Sequence, residues 1–81
     1  MVKLDKQEEA LKAFAELATT AKEADIKAGA WYNKGVVLSQ QKKLEESIDA
    51  YKNALRLKPD DKEARKNLQR SLGAHEETQI L

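Results

Sequence analysis

The spacing of apolar residues restricts this chain to helices. Leu44, Ile48, Tyr51 and Leu55 recur at intervals of four, three and four, which places them on one face of an α-helix. Proline occurs once and glycine three times, so few residues interrupt such a pattern. No segment alternates apolar and polar residues over a useful length. The pattern therefore predicts an all-α fold without strands.

Capping and breaking residues divide the chain into about four helices. They are expected at 4–22, at about 26–41, from 44 to the residue before Pro59, and at 61–72. A loop is expected near 22–24, after which Asp25 would cap the second helix. Pro59 would end the third helix because proline cannot continue one. Asp60 or Asp61 would then cap the fourth.

The fourth helix carries the weakest apolar stripe. Ala64, Leu68 and Leu72 are expected to form its buried side. Gly73 is expected to end it. Residues 74–81 have no periodicity and are predicted to form a disordered tail.

Composition argues against catalysis and against bound cofactors or metals. The chain has no cysteine, so thiolate metal sites and cysteine nucleophiles are excluded. Its one histidine, His75, lies in the expected tail beside Glu76 and Glu77, where metal-ligand geometry could not be held. No glycine-rich phosphate loop occurs. The sequence predicts a protein that is not an enzyme and holds no cofactor.

The N-terminal residues lack the apolar run of a signal peptide, and no stretch is long and apolar enough to span a bilayer. The chain is expected to be soluble and not to insert into membranes, and its compartment is left open. Both ends of the sequence are expected to fall within an array of repeats. We therefore expect an excerpt of a longer protein, which could itself be exported.

The segment 28–61 resembles a tetratricopeptide repeat (TPR), a helical hairpin of about 34 residues. The residues at its landmark places are Trp31, Gly35, Leu38, Ser47, Tyr51, Ala54 and Pro59. Lys34 replaces the usual leucine, Leu38 the tyrosine and Ser47 the first small alanine. The resemblance implies that small Gly35 and Ser47 let two antiparallel helices approach closely. It also implies that Trp31, Leu38 and Tyr51 fill the space between them.

The resemblance extends over 4–72 and implies a short right-handed solenoid. The segment 4–22 matches the second helix of a preceding repeat, and 61–72 matches a following or capping helix. Phe14 and Trp31 are 17 residues apart, whereas a strict array would give about 14. This joint is therefore expected to have a longer loop or a longer helix.

Three short sequence motifs also resemble those of the TPR proteins of bacterial aerotolerance (Bat) operons, which accompany von Willebrand A-type membrane proteins. They are Tyr-Asn-x-Gly, Gln-Gln-Lys-Lys and Asn-Ala-Leu-Arg-Leu-x-Pro-x-Asp. This weaker resemblance implies a bacterial source.

TPR resemblance implies a scaffold that binds a peptide or partner helix in a groove lined by first helices. The expected groove residues are Tyr32, Asn33, Val36, Ser39, Gln40, Lys66, Asn67 and Arg70. Glu63 and Gly29 fall on groove places too, although Gly29 has no side chain to offer. Glu63 stands where a carboxylate clamp for chaperone tails would need a cation, which argues against such a clamp. Packing of Tyr32 and Val36 on the preceding helix is the alternative.

Two other functions stay open. Leu11, Phe14 and Leu17 would be uncovered in an excerpt that lacks a helix, so two chains could pair as a homodimer with swapped helices. A basic cluster could bind nucleic acid or an acidic surface; its members are Arg56, Lys58, Lys62, Arg65, Lys66 and Arg70. The net charge of +1 and the lack of interleaved aromatics favour a solvated helix face instead.

Overall fold

Four helices make up the described part of the chain. A computed structural model describes residues 6–80, and the side chains of residues 6–76. Its helices are α1 (Lys6–Thr20), α2 (Ala24–Gln40), α3 (Leu44–Leu57) and α4 (Lys62–Ile80). The prediction of an all-α fold with four helices is confirmed for residues 6–80, where no strand occurs. Leu4 and Asp5, which the sequence assigned to the first helix, lie outside the described residues.

Each helix packs on its neighbour in the sequence. The α2–α3 contact is the most extensive, followed by α1–α2 and α3–α4, whereas α1 and α3 do not contact each other in the described region. The Cα atoms extend over 43 × 40 × 14 Å, and α2 also contacts α4, so the helices form a flat slab about two helices thick. Such a slab has two broad faces, and both can present side chains to a partner.

The loop between α1 and α2 is one residue earlier than expected. Two threonine hydroxyls donate to the Glu16 carbonyl, Thr19 at 2.9 Å and Thr20 at 2.8 Å, and extend α1 to Thr20. The prediction that Asp25 caps α2 is wrong, because the cap is Glu23 in an extended conformation. Ala24 is a strong helix former and starts the helix. Asp25 instead lies in the first turn, where the helix dipole favours an acid.

The turn between α2 and α3 is a Schellman motif without glycine. The Lys43 amide donates to the Leu38 carbonyl at 2.9 Å, and the Lys42 amide donates to the Ser39 carbonyl at 3.0 Å. Lys42 has a φ of 62°, a left-handed conformation that glycine adopts more easily. These bonds satisfy carbonyls at the end of α2 and turn the chain back so that α3 lies against α2.

Gly35 brings α2 and α3 into close approach. A Cβ atom at this position would lie 2.5 Å from Cε1 and 2.7 Å from Cδ1 of Tyr51. The Tyr51 side chain is only 2% exposed, so its ring has no free space into which it could move. Leu38 and Ala54 are also buried. The helices can therefore pack at this distance only because residue 35 has no side chain.

Small residues also join α3 to α4. Ser47 and Ser71 are buried, and their hydroxyls form a hydrogen bond of 3.2 Å. Asp61, one of the two expected candidates, caps α4. Its side-chain Oδ1 accepts a hydrogen bond of 3.1 Å from the Ala64 amide. The prediction that Leu72 is buried is wrong, since it is 40% exposed. The close approach at the two serines places Ser71, rather than Leu72, against α3.

The C-terminal helix is longer than the sequence indicates. The prediction that Gly73 ends it is wrong, because α4 continues to Ile80. Residues 74–80, expected to form a disordered tail, are helical, and Leu81 lies outside the described residues. A glycine inside a helix costs about 1 kcal/mol. Beyond Gly73, the half-buried side chain of His75 contacts the start of α3, where its Nε2 lies 3.2 Å from Glu45 Oε1.

Two glycines of α2 provide a matched test of this packing. We expect Gly35→Ala to lower the free energy of unfolding by about 1–2 kcal/mol, because overpacking against Tyr51 outweighs the gain in helix propensity. Gly29→Ala, in the same helix, meets no atom within 4 Å. It should raise that free energy by up to about 1 kcal/mol. Urea denaturation measures both; equal effects at the two positions would contradict the packing described here.

Candidate functional site

A recess opens between α2 and α4 on one face of the molecule. Its volume is about 160 Å³, and it is lined by Val36, Ser39, Gln40, Tyr51, Asn67 and Arg70. The α2 residues come from one side of that helix, and Asn67 and Arg70 lie on one side of α4 at a spacing of three. Tyr51, from α3, lies between them. The fold thus brings five of the eight predicted groove residues together around one concave surface.

Asn67 connects α4 to α2 at this recess. Its amide Nδ2 donates a hydrogen bond of 3.0 Å to the hydroxyl oxygen of Tyr32. The rings of Tyr32 and Tyr51 are tilted by 53°, with centroids 6.0 Å apart, within the range of favourable aromatic pairs. Tyr32 is therefore part of the structure that supports the recess, rather than a freely exposed groove residue.

The recess combines a cation, neutral polar groups and an apolar surface. The Arg70 guanidinium forms no ion pair with a carboxylate among the described side chains. The side-chain Oε1 of Gln40 already accepts a hydrogen bond of 3.2 Å from Nε2 of Gln7. Ser39 supplies a hydroxyl and Val36 an apolar contact. Chemically, this arrangement can donate hydrogen bonds to carbonyl or carboxylate oxygens while packing against a small apolar group.

Three predicted groove residues lie outside the recess lining, namely Tyr32, which contacts Asn67, and the two residues Asn33 and Lys66. Asn33 and Lys66 are exposed on α2 and α4. Glu63 and Gly29, which also fall on groove places, do not line it either. Lys66 lies one turn before Arg70 on α4, so a longer ligand that leaves the recess along α4 would reach it.

Burial raises the pKa of the Tyr51 phenol above its ordinary value of 10.0. The neighbouring Tyr32 raises this pKa further, whereas the Asn67 amide and the positive charge of Arg70 lower it. At neutral pH the Tyr51 phenol is therefore protonated. It cannot present a negative charge at the floor of the recess.

Three of the six residues of the basic cluster contact other groups of the chain. Arg65 donates to the Pro59 carbonyl at 2.9 Å, and Lys58 lies 3.7 Å from Asp25. Arg56 contacts Asn53 at 3.5 Å, while Arg70 lines the recess. These contacts leave Lys62, Lys66 and Arg70 without an ion pair among the described side chains. Binding of nucleic acid through them stays a prediction.

A second concave surface was missed by the sequence reasoning. It is lined by Trp31, Lys34, Leu38, Glu45, Glu46 and Asp49, between α2 and the start of α3. Trp31 was expected to fill the helix interface, but it is only half-buried. The Lys34 ammonium lies 4.8 Å from the centre of its ring. The replacement of the usual leucine by Lys34 was the one sequence feature that pointed here.

The described residues form no group of three or more histidine, aspartate or glutamate side chains that could hold a metal ion. No helix among residues 6–80 combines the length and apolar content that crossing a bilayer requires.

Two large apolar side chains are exposed where α1 and α2 meet. On α1, Leu17 is 42% exposed, and on the neighbouring α2 Ile26 is 45% exposed. Self-association through this surface stays a prediction.

Comparison with known families agrees with the hairpin geometry. The family model of the tetratricopeptide repeat matches residues 28–61, the segment that contains most of α2, all of α3 and the Gly35–Tyr51 contact. Searches of curated proteins and of solved structures returned no significant match. Residues 28–61 are therefore a tetratricopeptide repeat, within an all-α helical repeat fold. The resemblance to aerotolerance-operon proteins stays a prediction.

Tetratricopeptide repeats generally mediate protein–protein interactions and are generally non-catalytic. The repeat in this chain therefore implies protein partners. The recess between α2 and α4 lies beside this hairpin.

The raised pKa of Tyr51 predicts a loss of stability at alkaline pH. Above pH 10 the unfolded chain ionises this phenol while the folded chain keeps the proton. The folded state then binds more protons, and the free energy of unfolding falls as pH rises, by at most about 1.4 kcal/mol per pH unit. Tyr51→Phe keeps the ring and removes the titration. Urea denaturation at pH 8 and pH 11 should show a smaller alkaline loss in Tyr51→Phe; an equal loss would contradict this.

Proposed function

We propose that the chain is a non-enzymatic scaffold that binds a peptide or a partner helix in the recess between α2 and α4. One observation carries this proposal. The unpaired Arg70 guanidinium, the Asn67 amide and the Ser39 hydroxyl lie around a single concave surface beside the repeat. Protein partners are what a tetratricopeptide repeat implies in general.

The recess is pre-organised, which favours binding. The Asn67–Tyr32 hydrogen bond and the contact between the two tyrosine rings hold α4 against α2 before any ligand arrives. Side chains that are already ordered lose little conformational entropy when a partner binds. A volume of about 160 Å³ suits one or two side chains of a ligand rather than a whole small molecule. The remainder of a peptide would lie along the exposed surfaces of α2 and α4.

The charge of the recess favours an acidic ligand. Arg70 is the one charged residue in its lining, and a guanidinium binds carboxylates with two parallel hydrogen bonds. Exposed Lys66 adds a second positive charge one helical turn away. Val36 and the ring of Tyr51 provide apolar contact beside these cations. The preferred ligand is thus a segment in which an aspartate or glutamate stands next to a small apolar residue.

Selection from a random peptide library on the immobilised chain tests this function. We expect the selected peptides to be enriched in aspartate and glutamate. Arg70→Ala should weaken their binding about tenfold or more, because a hydrogen bond to a charged group is lost. Isothermal titration calorimetry measures the affinities of the synthesised peptides.

Lys52→Ala is the matched control, since Lys52 is an exposed cation of α3 outside the recess lining. It removes the same charge and should leave affinity nearly unchanged. Peptides that bind Arg70→Ala as tightly as the unaltered chain would place the partner site elsewhere.

A further inference from the structure

A continuous trough runs along the other face of α2. Two concavities of about 440 and 390 Å³ share Lys34, Leu38 and Glu46 in their linings. One extends toward Glu45 and Asp49 of α3, and the other toward α1. The two concavities therefore adjoin along α2, in the space between α1 and α3, whose backbones do not approach each other. We call this space the α1/α3 trough.

The trough is separate from the recess between α2 and α4. At about 100° per residue, Trp31, Lys34 and Leu38 fall within a sector of about 60° on α2. Val36, Ser39 and Gln40 are centred roughly 150° away. The two concave surfaces therefore lie on nearly opposite sides of the same helix, and a ligand in one leaves the other open.

An aromatic ring and three carboxylates meet at the α3 end of the trough. The Lys34 ammonium lies 4.8 Å from the centre of the Trp31 ring, so this ring already accepts a cation from within the chain. The carboxylates belong to Glu45, Glu46 and Asp49. Against their three negative charges, Lys34 is the only cation in this part of the lining, whereas Lys12 and Lys43 line the part toward α1.

Glu46 has the greatest capacity for a new partner. Glu45 lies 3.2 Å from His75, and Asp49 contacts Asn53 at 3.4 Å. The Glu46 carboxylate forms no hydrogen bond or ion pair with the described side chains, although it borders both halves of the trough. Its charge is thus available to an incoming cation close to Trp31.

We propose that the α1/α3 trough is a second binding site, which takes an arginine side chain from a basic segment of a partner protein. A guanidinium can stack on the Trp31 ring and at the same time bind a carboxylate with two hydrogen bonds. An ammonium is a compact charge that does only one of these well. In the free protein the Lys34 ammonium lies over the Trp31 ring, and the incoming arginine displaces this ammonium.

Intrinsic fluorescence tests this site directly, because Trp31 is the only tryptophan in the chain. The probe is acetyl-Ala-Arg-Ala-Ala-Arg-Ala-amide, with the corresponding glutamate peptide as its control. At low salt the arginine peptide should produce a saturable change in Trp31 emission, and the glutamate peptide should not. Equal responses to the two peptides would overturn the proposal.

Three variants identify the contacts. Glu46→Gln should weaken binding of the arginine peptide about two- to fivefold, as expected for an exposed ion pair. Lys34→Gln should strengthen it, because the internal competitor loses its charge. Arg70→Ala, on the other face, should leave it unchanged, so the result does not depend on the recess. Circular dichroism verifies that each variant is folded.

Two results would overturn the proposal. In the first, Glu46→Gln binds the arginine peptide as tightly as the unaltered chain, or Lys34→Gln binds it more weakly. In the second, Trp31 emission changes with the concentration of the chain alone, which would assign the trough to a second copy.

Discussion

The close approach of Gly35 to the Tyr51 ring is the constraint on which the rest of the structure depends. It sets the distance between α2 and α3, the most extensive helix contact in the described chain. The Tyr51 ring, held in place there, contacts Tyr32 and forms the floor of the recess. Asn67 then joins α4 to Tyr32. One buried aromatic side chain therefore links the core of the repeat to the surface that we propose for partner binding.

The flat arrangement of the helices explains how so short a chain can present two different surfaces. The Cα atoms spread over only 14 Å in the thin direction, and α2 borders a concave surface on each side. The recess has Arg70 as its charged residue, whereas the α3 end of the trough has three carboxylates beside Trp31. Ligands of opposite charge would be sorted between the two faces, because like charges repel in each site.

Periodicity and the repeat landmarks were enough to predict the four helices, and Gly35 as the place of close approach. They were not enough where tertiary contacts outweigh local preference. Ser71 is buried in place of Leu72, and its hydroxyl forms a hydrogen bond with the Ser47 hydroxyl of α3. Likewise, α4 passes through Gly73, and the His75–Glu45 contact lies beyond it. A local stop residue carries no information about such a contact.

The candidate sites likewise include residues that the sequence predicts and residues that it does not. The recess residues of α2 and α4 could be predicted from the places they occupy in a repeat. Tyr51 could not be predicted as its floor, since the sequence assigns this residue only to the core. The α1/α3 trough could not be predicted at all. It exists because two helices that are not adjacent in the sequence stay apart, and helical spacing within either one does not reveal that separation.

A double-mutant cycle between residues 35 and 51 tests the central packing claim most directly. It compares Gly35→Ala, Tyr51→Leu and the double variant by urea denaturation. If the added methyl group destabilises the fold through the Tyr51 ring, Gly35→Ala should cost little once that ring is gone. The coupling free energy should then be about 1–3 kcal/mol. Effects that add to within about 0.5 kcal/mol would mean that the ring and the glycine do not determine the spacing of α2 and α3.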